Sequence, residues 1–472
     1  MSLFAKLGRR AAEGTPVRVG LIGAGKFGTM FLSQAWRVPG LHPVGVCDLS
    51  PAGARTAMRR VGWPEERFRA ASFEEAARNA ATCVTDDAAA LIASPFIDIV
   101  IDATGSPAAG IRHVLAACAH RKHVVMVNVE ADALAGPLLA RRAAEAGIVY
   151  SMASGDQPAL IAELIDWART IGLDVVCAGK GTKYLPAYHR STPDTVWGHY
   201  GFSEAQVAGG DFNPQMFNSF LDGTKSALEM AAVANACALD PPEDGLTFPP
   251  CGVDDLPAVL RPLGEGGVLN RKGTVEVVSS LERDGRPVFR DLRWGVYVVF
   301  EAPTAYVQDC FRQYGLGTDP SGRFAATYKP YHLIGLELGT SVASIATRGE
   351  PTGTTGDWRG DVIAVAKRDL KAGEVLDGEG GYTVFGKLVP AERSVALGAL
   401  PIGLAHGLPL RDAVPADRPI RWCDVAFDAG AQAVAFRREM EAIFRHEKGL
   451  AEAASGSSSG GFEHRGTEGT GT

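Results

Sequence analysis

Residues 17–30, VRVGLIGAGKFGTM, constrain this chain more than any other stretch. A mostly apolar run, Val17-Arg18-Val19-Gly20-Leu21-Ile22, leads straight into Gly23-Ala24-Gly25-Lys26-Phe27-Gly28. Apolar residues then recur at helical spacing: Phe27, Met30, Phe31 and Ala35. That order predicts a strand, a glycine turn and a helix start, the context in which G-x-G-x-x-G signals a dinucleotide rather than an ordinary glycine-rich turn. Gly23 permits the tight turn, Gly25 lets the backbone approach a pyrophosphate, and Gly28 lets the helix pack close to the strand. The helix N-terminus at Lys26 and Phe27 then faces the anion. A second apolar run, residues 42–47, ends in Asp48. That is about 20 residues past the last glycine, where an acid binds a ribose hydroxyl.

Strand and helix patterns go on alternating to about residue 154. Strands are expected at 97–102, 123–127 and 148–152, and helices at 51–60, 73–81, 108–120 and 137–146. The class is therefore α/β, with a doubly wound parallel sheet of the Rossmann kind. Such sheets bind ligands beyond the carboxyl ends of their strands. The loops at Thr104-Gly105, residues 128–132 and Gly155-Asp156 are expected to border a nicotinamide, which adds Thr104, Gly105, Asn128 and Glu130 to the cofactor candidates. Glu130 and Asp156 also suit substrate hydroxyls, a metal or a catalytic lysine, while Asp132 suits a plain helix cap.

Composition narrows the function classes. At 472 residues the chain should hold two or three domains. A net charge of −7 shows no basic excess, so no nucleic-acid partner is expected. No apolar run approaches a membrane span. The first 16 residues lack the central hydrophobic region of a signal peptide, being broken by Lys6, and read as a short amphipathic helix. Eight cysteines are scattered without a C-x-x-C, which argues for reduced thiols, a cytoplasmic location and neither a cysteine nucleophile nor structural zinc.

From residue 155 the pattern becomes α+β. A helix is expected at 159–170, a strand at 175–178, a long loop over an active site at 184–211, and a helix at 214–238. Residues 275–280, 296–301 and 333–345 read as an open sheet. Beyond the Gly/Thr-rich break at 349–356, short strands alternate with glycine turns in a small all-β module. A charged helix and a low-complexity tail, expected to be disordered, end the chain.

Within residues 214–238, Asp222, Lys225 and Glu229 lie at i, i+3 and i+7, within about 60° on one helix face. A solvated face with ordinary ion pairs is the plain alternative. The surrounding Ala, Leu and Met predict burial instead, and a buried lysine flanked by carboxylates can exchange protons with a carbonyl or alcohol. Lys180-Gly181-Thr182-Lys183, with Arg190, suits a phosphate or carboxylate as readily as surface charge. His332, in a β-rich stretch with Glu337 nearby, is more often structural than catalytic.

Several of these segments together resemble the homoserine dehydrogenase superfamily, and within it the 1-deoxy-D-xylulose 5-phosphate reductoisomerase-like branch. They are the glycine turn, ASGDQP at 153–158, AGKG at 178–181, TPD at 192–194 and DGTKSALEMAAVANA at 222–236, with EGGVL at 265–269 and PYHL at 330–333. Residues 362–427 are similar to SAF domains. The resemblance implies a homodimer and a lysine, here Lys225, that serves the reacting oxygen. In the namesake branch it also implies NADPH and a divalent metal. Two residues depart from it. Asp222 and Lys225 are three apart, where homoserine dehydrogenases place the pair four apart. Asp48 favours NAD over NADP, with Arg55 and Arg59 one or two turns into the next helix.

The expected organisation is an N-terminal helix (1–16), an NAD(P)-binding Rossmann domain (17–154), an α+β catalytic and dimerisation domain (155–349), an SAF-like domain (357–427), a helix (428–448) and a tail (449–472). The expected function is an NAD(P)-dependent oxidoreductase, or an oxidoisomerase, acting on a small polyhydroxylated or phosphorylated molecule, with Lys180, Asp222, Lys225 and Glu229 as catalytic candidates. NAD is the expected cofactor, NADP the alternative, and the metal is left open. The rival readings are homoserine dehydrogenase itself and a non-catalytic nucleotide sensor.

Overall fold

A computed structural model describes residues 2–209 and 212–450. The tail from residue 451 onward, and Asp211 at the end of the long loop, lie outside the described residues.

Strands β1 (Val17–Ile22), β2 (Leu41–Cys47), β3 (Cys83–Thr85), β4 (Ile99–Asp102), β5 (His123–Met126) and β6 (Tyr150–Met152) form one six-stranded sheet. Every pairing in it is parallel, in the order β3-β2-β1-β4-β5-β6. Val19, Leu21, Val46, Val100 and Ile101 are buried, as continuous apolar strands covered on both faces require. The strand order reverses between β1 and β4, so the glycine turn opens at the switch point where such sheets take their ligands. The three-residue β3 is too short to show a period and was not expected.

The stretch 128–132 is not a loop. Asn128 caps a helix, Val129–Glu145, that runs through Pro137. Burial of Val129, Ala131, Leu134, Leu138 and Leu139 on either side offsets the hydrogen bond that a proline removes. Asp132 therefore does not cap it. It sits one turn in, accepting from the Tyr150 and Thr355 hydroxyls.

A second, four-stranded sheet has the order β10-β9-β7-β8, from β7 (Asp174–Thr182), β8 (Thr274–Ser279), β9 (Val296–Glu301) and β10 (Phe324–Lys329). β7 runs parallel to β8 and antiparallel to β9. The helix expected at 214–238 is two helices, Pro214–Leu221 and Thr224–Cys237, parted where Gly223 turns left-handed at φ +89°. Residues 339–348 are helical, not β: this helix takes a left-handed Gly349 as its C-cap and packs against Leu3–Ala12 at the N-terminus. The long loop also holds short helices, Val196–Tyr200 and Glu204–Gly209.

The central helix Thr224–Cys237 is the hub. Ala227, Ala231, Ala232 and Ala234 are at most 2% exposed. Side chains this small let helices Val129–Glu145 and Gln157–Thr170 and the C-terminal strands approach together. Those strands are β11 (Gly360–Ala366) and its antiparallel partner β13 (Val384–Pro390); a second antiparallel pair, β12 (Val375–Asp377) and β14 (His406–Pro409), completes the C-terminal module. The last helix, Gln432–Lys448, packs across helices Pro107–Ala119 and Val129–Glu145. Its Arg437 is fully buried between Asp361 and Glu441, donates to the Leu134 carbonyl and lies 4.6 Å from the Trp358 ring centroid. An unpaired charge there would be costly, so this one side chain fastens the β module to the first sheet's helices. Among the described residues no helix is long and apolar enough to cross a membrane.

Candidate active site

The glycine turn can be tested residue by residue. A Cβ on Gly23, which has φ +99°, would lie 2.5 Å from the Ala103 carbonyl oxygen, and one on Gly28 would lie 2.1 Å from that of Gly23. Both glycines are required by close packing. A Cβ on Gly25 would meet nothing within 4 Å, so the turn is open on that side. Gly25 is also the N-cap of helix Lys26–Ala35 and brings no capping side chain. The turn therefore fits a pyrophosphate, with Gly25, the exposed Lys26 and Phe27 to hold it. Asp48 is half-exposed and accepts from the Ala24 and Ser50 amides at 2.8 and 2.9 Å, which leaves lone pairs for ribose hydroxyls. Arg55 donates to the Val84 carbonyl and Arg59 pairs with Glu65.

The loop after β4 is shaped by Asp102, a residue that sequence reasoning passed over. Its buried carboxylate accepts from the Thr104 amide and hydroxyl at 3.0 and 2.8 Å and meets His113 Nδ1 at 2.8 Å. Asn128 Nδ2 donates to Thr104 Oγ1 and to the Ser106 carbonyl, tying the strand ends of β4 and β5 together. Gly105, at φ +66°, leaves the loop open beside them.

Beyond that edge lies a charged cluster. Glu130, in the first turn of helix Val129–Glu145, pairs with Lys225 of the central helix, and one turn further Glu229 pairs with Lys180 of β7. The Lys180–Glu229 pair is almost fully buried, and the Lys225 side chain is 18% exposed. Burial alone would lower the proton affinity of Lys225, but the surrounding carboxylates of Glu130, Glu379, Glu229 and Asp156 raise it overall, so the ammonium form persists. Asp156, the N-cap of helix Gln157–Thr170, moves the other way for an acid. Burial and the Glu229 charge raise its pKa to about 7, against the pull of both lysines and the Gln157 amide. Glu379, from the turn between β12 and β13, is raised to about 8 by burial and by Glu130. A fixed ammonium beside two carboxyls that titrate near neutrality can hold and pass a proton.

The expected catalytic row of three is broken. Because of the turn at Gly223, Asp222 leaves the face shared by Lys225 and Glu229, pairs with the buried Lys367 at 2.8 Å, and caps the Thr224 amide. The Lys180–Arg190 cluster separates too. Lys180 points inward, Lys183 donates to the His199 carbonyl, and Arg190 pairs with Asp417 at the surface. His332 has Lys180 and Glu229 as charged neighbours, is held by the Trp294 carbonyl at 2.7 Å, and is pushed below its usual pKa by burial. The chain then joins the two halves of the site: Gly155 packs on the Leu333 carbonyl, and Gly335 packs on that of Phe27. Among the described residues no group of three or more His, Cys, Asp or Glu is placed to hold a metal ion.

A parallel sheet of the nucleotide-binding kind with a buried lysine–carboxylate cluster beyond its strand ends fits an NAD(P)-dependent oxidoreductase, and the family models that match are of that class. Residues 20–151 match the family model of the homoserine dehydrogenase NAD-binding domain. Residues 155–338 match that of the catalytic domain of oxidoreductase DRL.

Among solved structures the chain is similar to myo-inositol dehydrogenase from Lactobacillus casei, in complex with NAD(H) and myo-inositol. That likeness has 21% identity over 38% of this chain and 50% of the other, with a TM-score of 0.27. It is also similar to 1-deoxy-D-xylulose 5-phosphate reductoisomerase from Zymomonas mobilis in complex with NADPH, at 18% identity over 46% of this chain and 57% of the other, TM-score 0.32. A homoserine dehydrogenase from Thiobacillus denitrificans shares 20% identity over 47% of this chain and 49% of that one, TM-score 0.33. The chain thus spans about half the length of these structures. No curated protein matches it.

Proposed function

We propose that the chain oxidises or reduces a CH–OH group of a small polyhydroxylated substrate, with Lys225 serving the reacting oxygen. The observation that carries this reading is the Lys225–Glu130 pair. It joins the central helix to the first helical turn beyond β5, so the ammonium stands at the nucleotide end of the sheet. Bound NAD(P) supplies the hydride donor or acceptor. The rest falls to the side chains. Glu130 anchors the ammonium, whose free N–H bonds stabilise negative charge developing on the substrate oxygen. Asp156, titrating near neutrality, takes up the proton released on oxidation and returns it on reduction. The Lys180–Glu229 pair holds the floor of the site in register.

The carboxylate of Asp48 favours NAD, because it accepts from ribose hydroxyls and repels a 2′-phosphate. The partners already taken by Arg55 and Arg59 support the same preference. The homodimer belongs to this proposal as well, and light scattering on the full chain checks it. The test of function is a spectrophotometric screen for nicotinamide turnover, with NAD and with NADP, against polyols, sugar acids, homoserine and deoxyxylulose phosphate. Turnover of a polyhydroxylated compound that needs Lys225 supports the proposal. Turnover of homoserine alone, or turnover indifferent to Lys225, overturns it.

A further inference from the structure

The turn between β12 and β13 reads D-G-E-G-G-Y-T at residues 377–383, and in sequence it resembles any surface hairpin. In the fold it is a built element. Gly378 and Gly380 adopt φ +75° and +65°, and a Cβ on Gly380 would lie 2.0 Å from the Gln215 carbonyl oxygen. Gln215 Nε2 donates to the carbonyls of Asp377 and Glu379 at 3.1 and 2.8 Å. Asn218 Nδ2 donates to the Gly380 carbonyl at 2.8 Å, and Lys367 Nζ to that of Gly381 at 2.7 Å. The Asp377 carboxylate ties the far side to the Tyr382 and Thr383 amides. So many fixed carbonyls in so short a turn aim one side chain, Glu379, which the glycines on either side leave unobstructed.

Glu379 faces Lys225 of the central helix, Glu130 of helix Val129–Glu145, Ser219 of helix Pro214–Leu221, and Asp222 at the break between the two helices. Lys225 already has an ion-pair partner in Glu130, so a further carboxyl is not needed to neutralise it. A carboxyl set against another carboxylate costs stability, and a strap that only held the module in place would do better with an amide or an apolar residue. The residue is half-buried, so its side chain is not sealed inside the module.

We infer that the C-terminal β module completes the substrate pocket, and that Glu379 is a substrate-binding group that hydrogen-bonds an uncharged hydroxyl or carbonyl oxygen next to the one Lys225 serves. This rests on the proposed role of Lys225. Because Glu130, Glu379 and Asp222 converge here, the reacting end of the substrate is a neutral hydroxylated carbon, and any phosphate or carboxylate it carries lies away from this turn. In its acid form Glu379 donates to the substrate oxygen; burial first, then the Glu130 and Asp222 charges, favour that form against the pull of Lys225.

The test uses the full chain with NADH bound, and the variants Glu379→Gln, Glu379→Ala and Lys225→Ala. Infrared titration of the wild type should show a carboxylic-acid carbonyl band that fades as pH rises through about 8 and is missing from Glu379→Gln. With the polyol or sugar acid that the turnover screen yields, Glu379→Ala should raise KM about tenfold or more while NADH affinity stays unchanged. Glu379→Gln, which keeps the shape and an amide donor, should raise KM less and lose the dependence on pH near 8. A band unchanged in Glu379→Gln, or a KM unchanged in Glu379→Ala, overturns the inference. Full turnover in Lys225→Ala overturns the parent reading instead, whatever the Glu379 variants do.

Discussion

The two ends of the site are built from different materials. The nucleotide end is backbone: a glycine turn, the first amides of a helix and one carboxylate, all within residues 23–48 and shaped at Gly23 and Gly28 by contacts that leave no room for a Cβ. The lysine–carboxylate end is side chains only. Lys180, Lys225, Glu229, Glu130, Asp156 and Glu379 come from β7, the central helix, two further helix N-termini and the C-terminal module. The contrast teaches that one end is rigid by geometry, whereas the other is held by balanced charge. The first should respond to volume and the second to protonation.

The largest expected break in this contrast comes at the charged end. Lys225→Ala should lower kcat by about 10²–10⁴-fold, the usual contribution of a positioned acid–base group, while NADH binding measured by fluorescence is unchanged.

Next come paired glycine variants. Gly28→Ala must displace the Gly23 carbonyl, at a cost of about 1–3 kcal/mol, and should lower both thermal stability and NADH affinity. Gly25→Ala meets open space, so it should melt like the wild type and lose affinity alone, by about tenfold. If both variants lose stability equally, the turn is not divided into packing and ligand roles.

A smaller change is expected at Asp48→Ser. Removing the negative charge should move the ratio of kcat/KM for NAD over NADP toward NADP by about tenfold, or about 1.4 kcal/mol.

The smallest effect is a change in shape rather than size. With the Asp156 carboxylate as the proposed proton acceptor on oxidation, the oxidative rate should fall as pH drops through about 7, and Asp156→Asn should flatten that limb. A limb that persists in Asp156→Asn would assign the titration to another group.

The same division explains what could be read from sequence. Gly23, Gly25, Gly28 and Asp48 were legible because the turn is contiguous and its chemistry is local. Lys225 was legible as a charge on an apolar helix with Glu229 on the same face, but which of its other candidate neighbours it pairs with was not. Helical arithmetic joined Asp222 to it across Gly223, where the chain turns left-handed and the period fails. Glu130 was named for the cofactor, with a substrate hydroxyl, a metal and the catalytic lysine as alternatives, and Lys180 was named as catalytic or for a phosphate. Their pairing with Lys225 and Glu229 depends on how sheets and helices dock, which no local pattern carries. Glu379 gave no signal because DGEGGYT has the composition of an ordinary turn. In the fold, β3 and β10 escaped notice. The helix Gly339–Arg348 was read as β because its small residues favour neither state and its packing against the N-terminal helix decides.

The proposed function requires that the ammonium of Lys225 itself act on the reacting oxygen. Turnover by Lys225→Ala, with NADH binding followed on the same sample as methylamine is added, tests this. Intact NADH binding, a severe loss of turnover, and partial recovery that rises with amine concentration are expected. Wild-type turnover without amine, or a loss of turnover that comes with lost NADH binding and does not respond to amine, would contradict it.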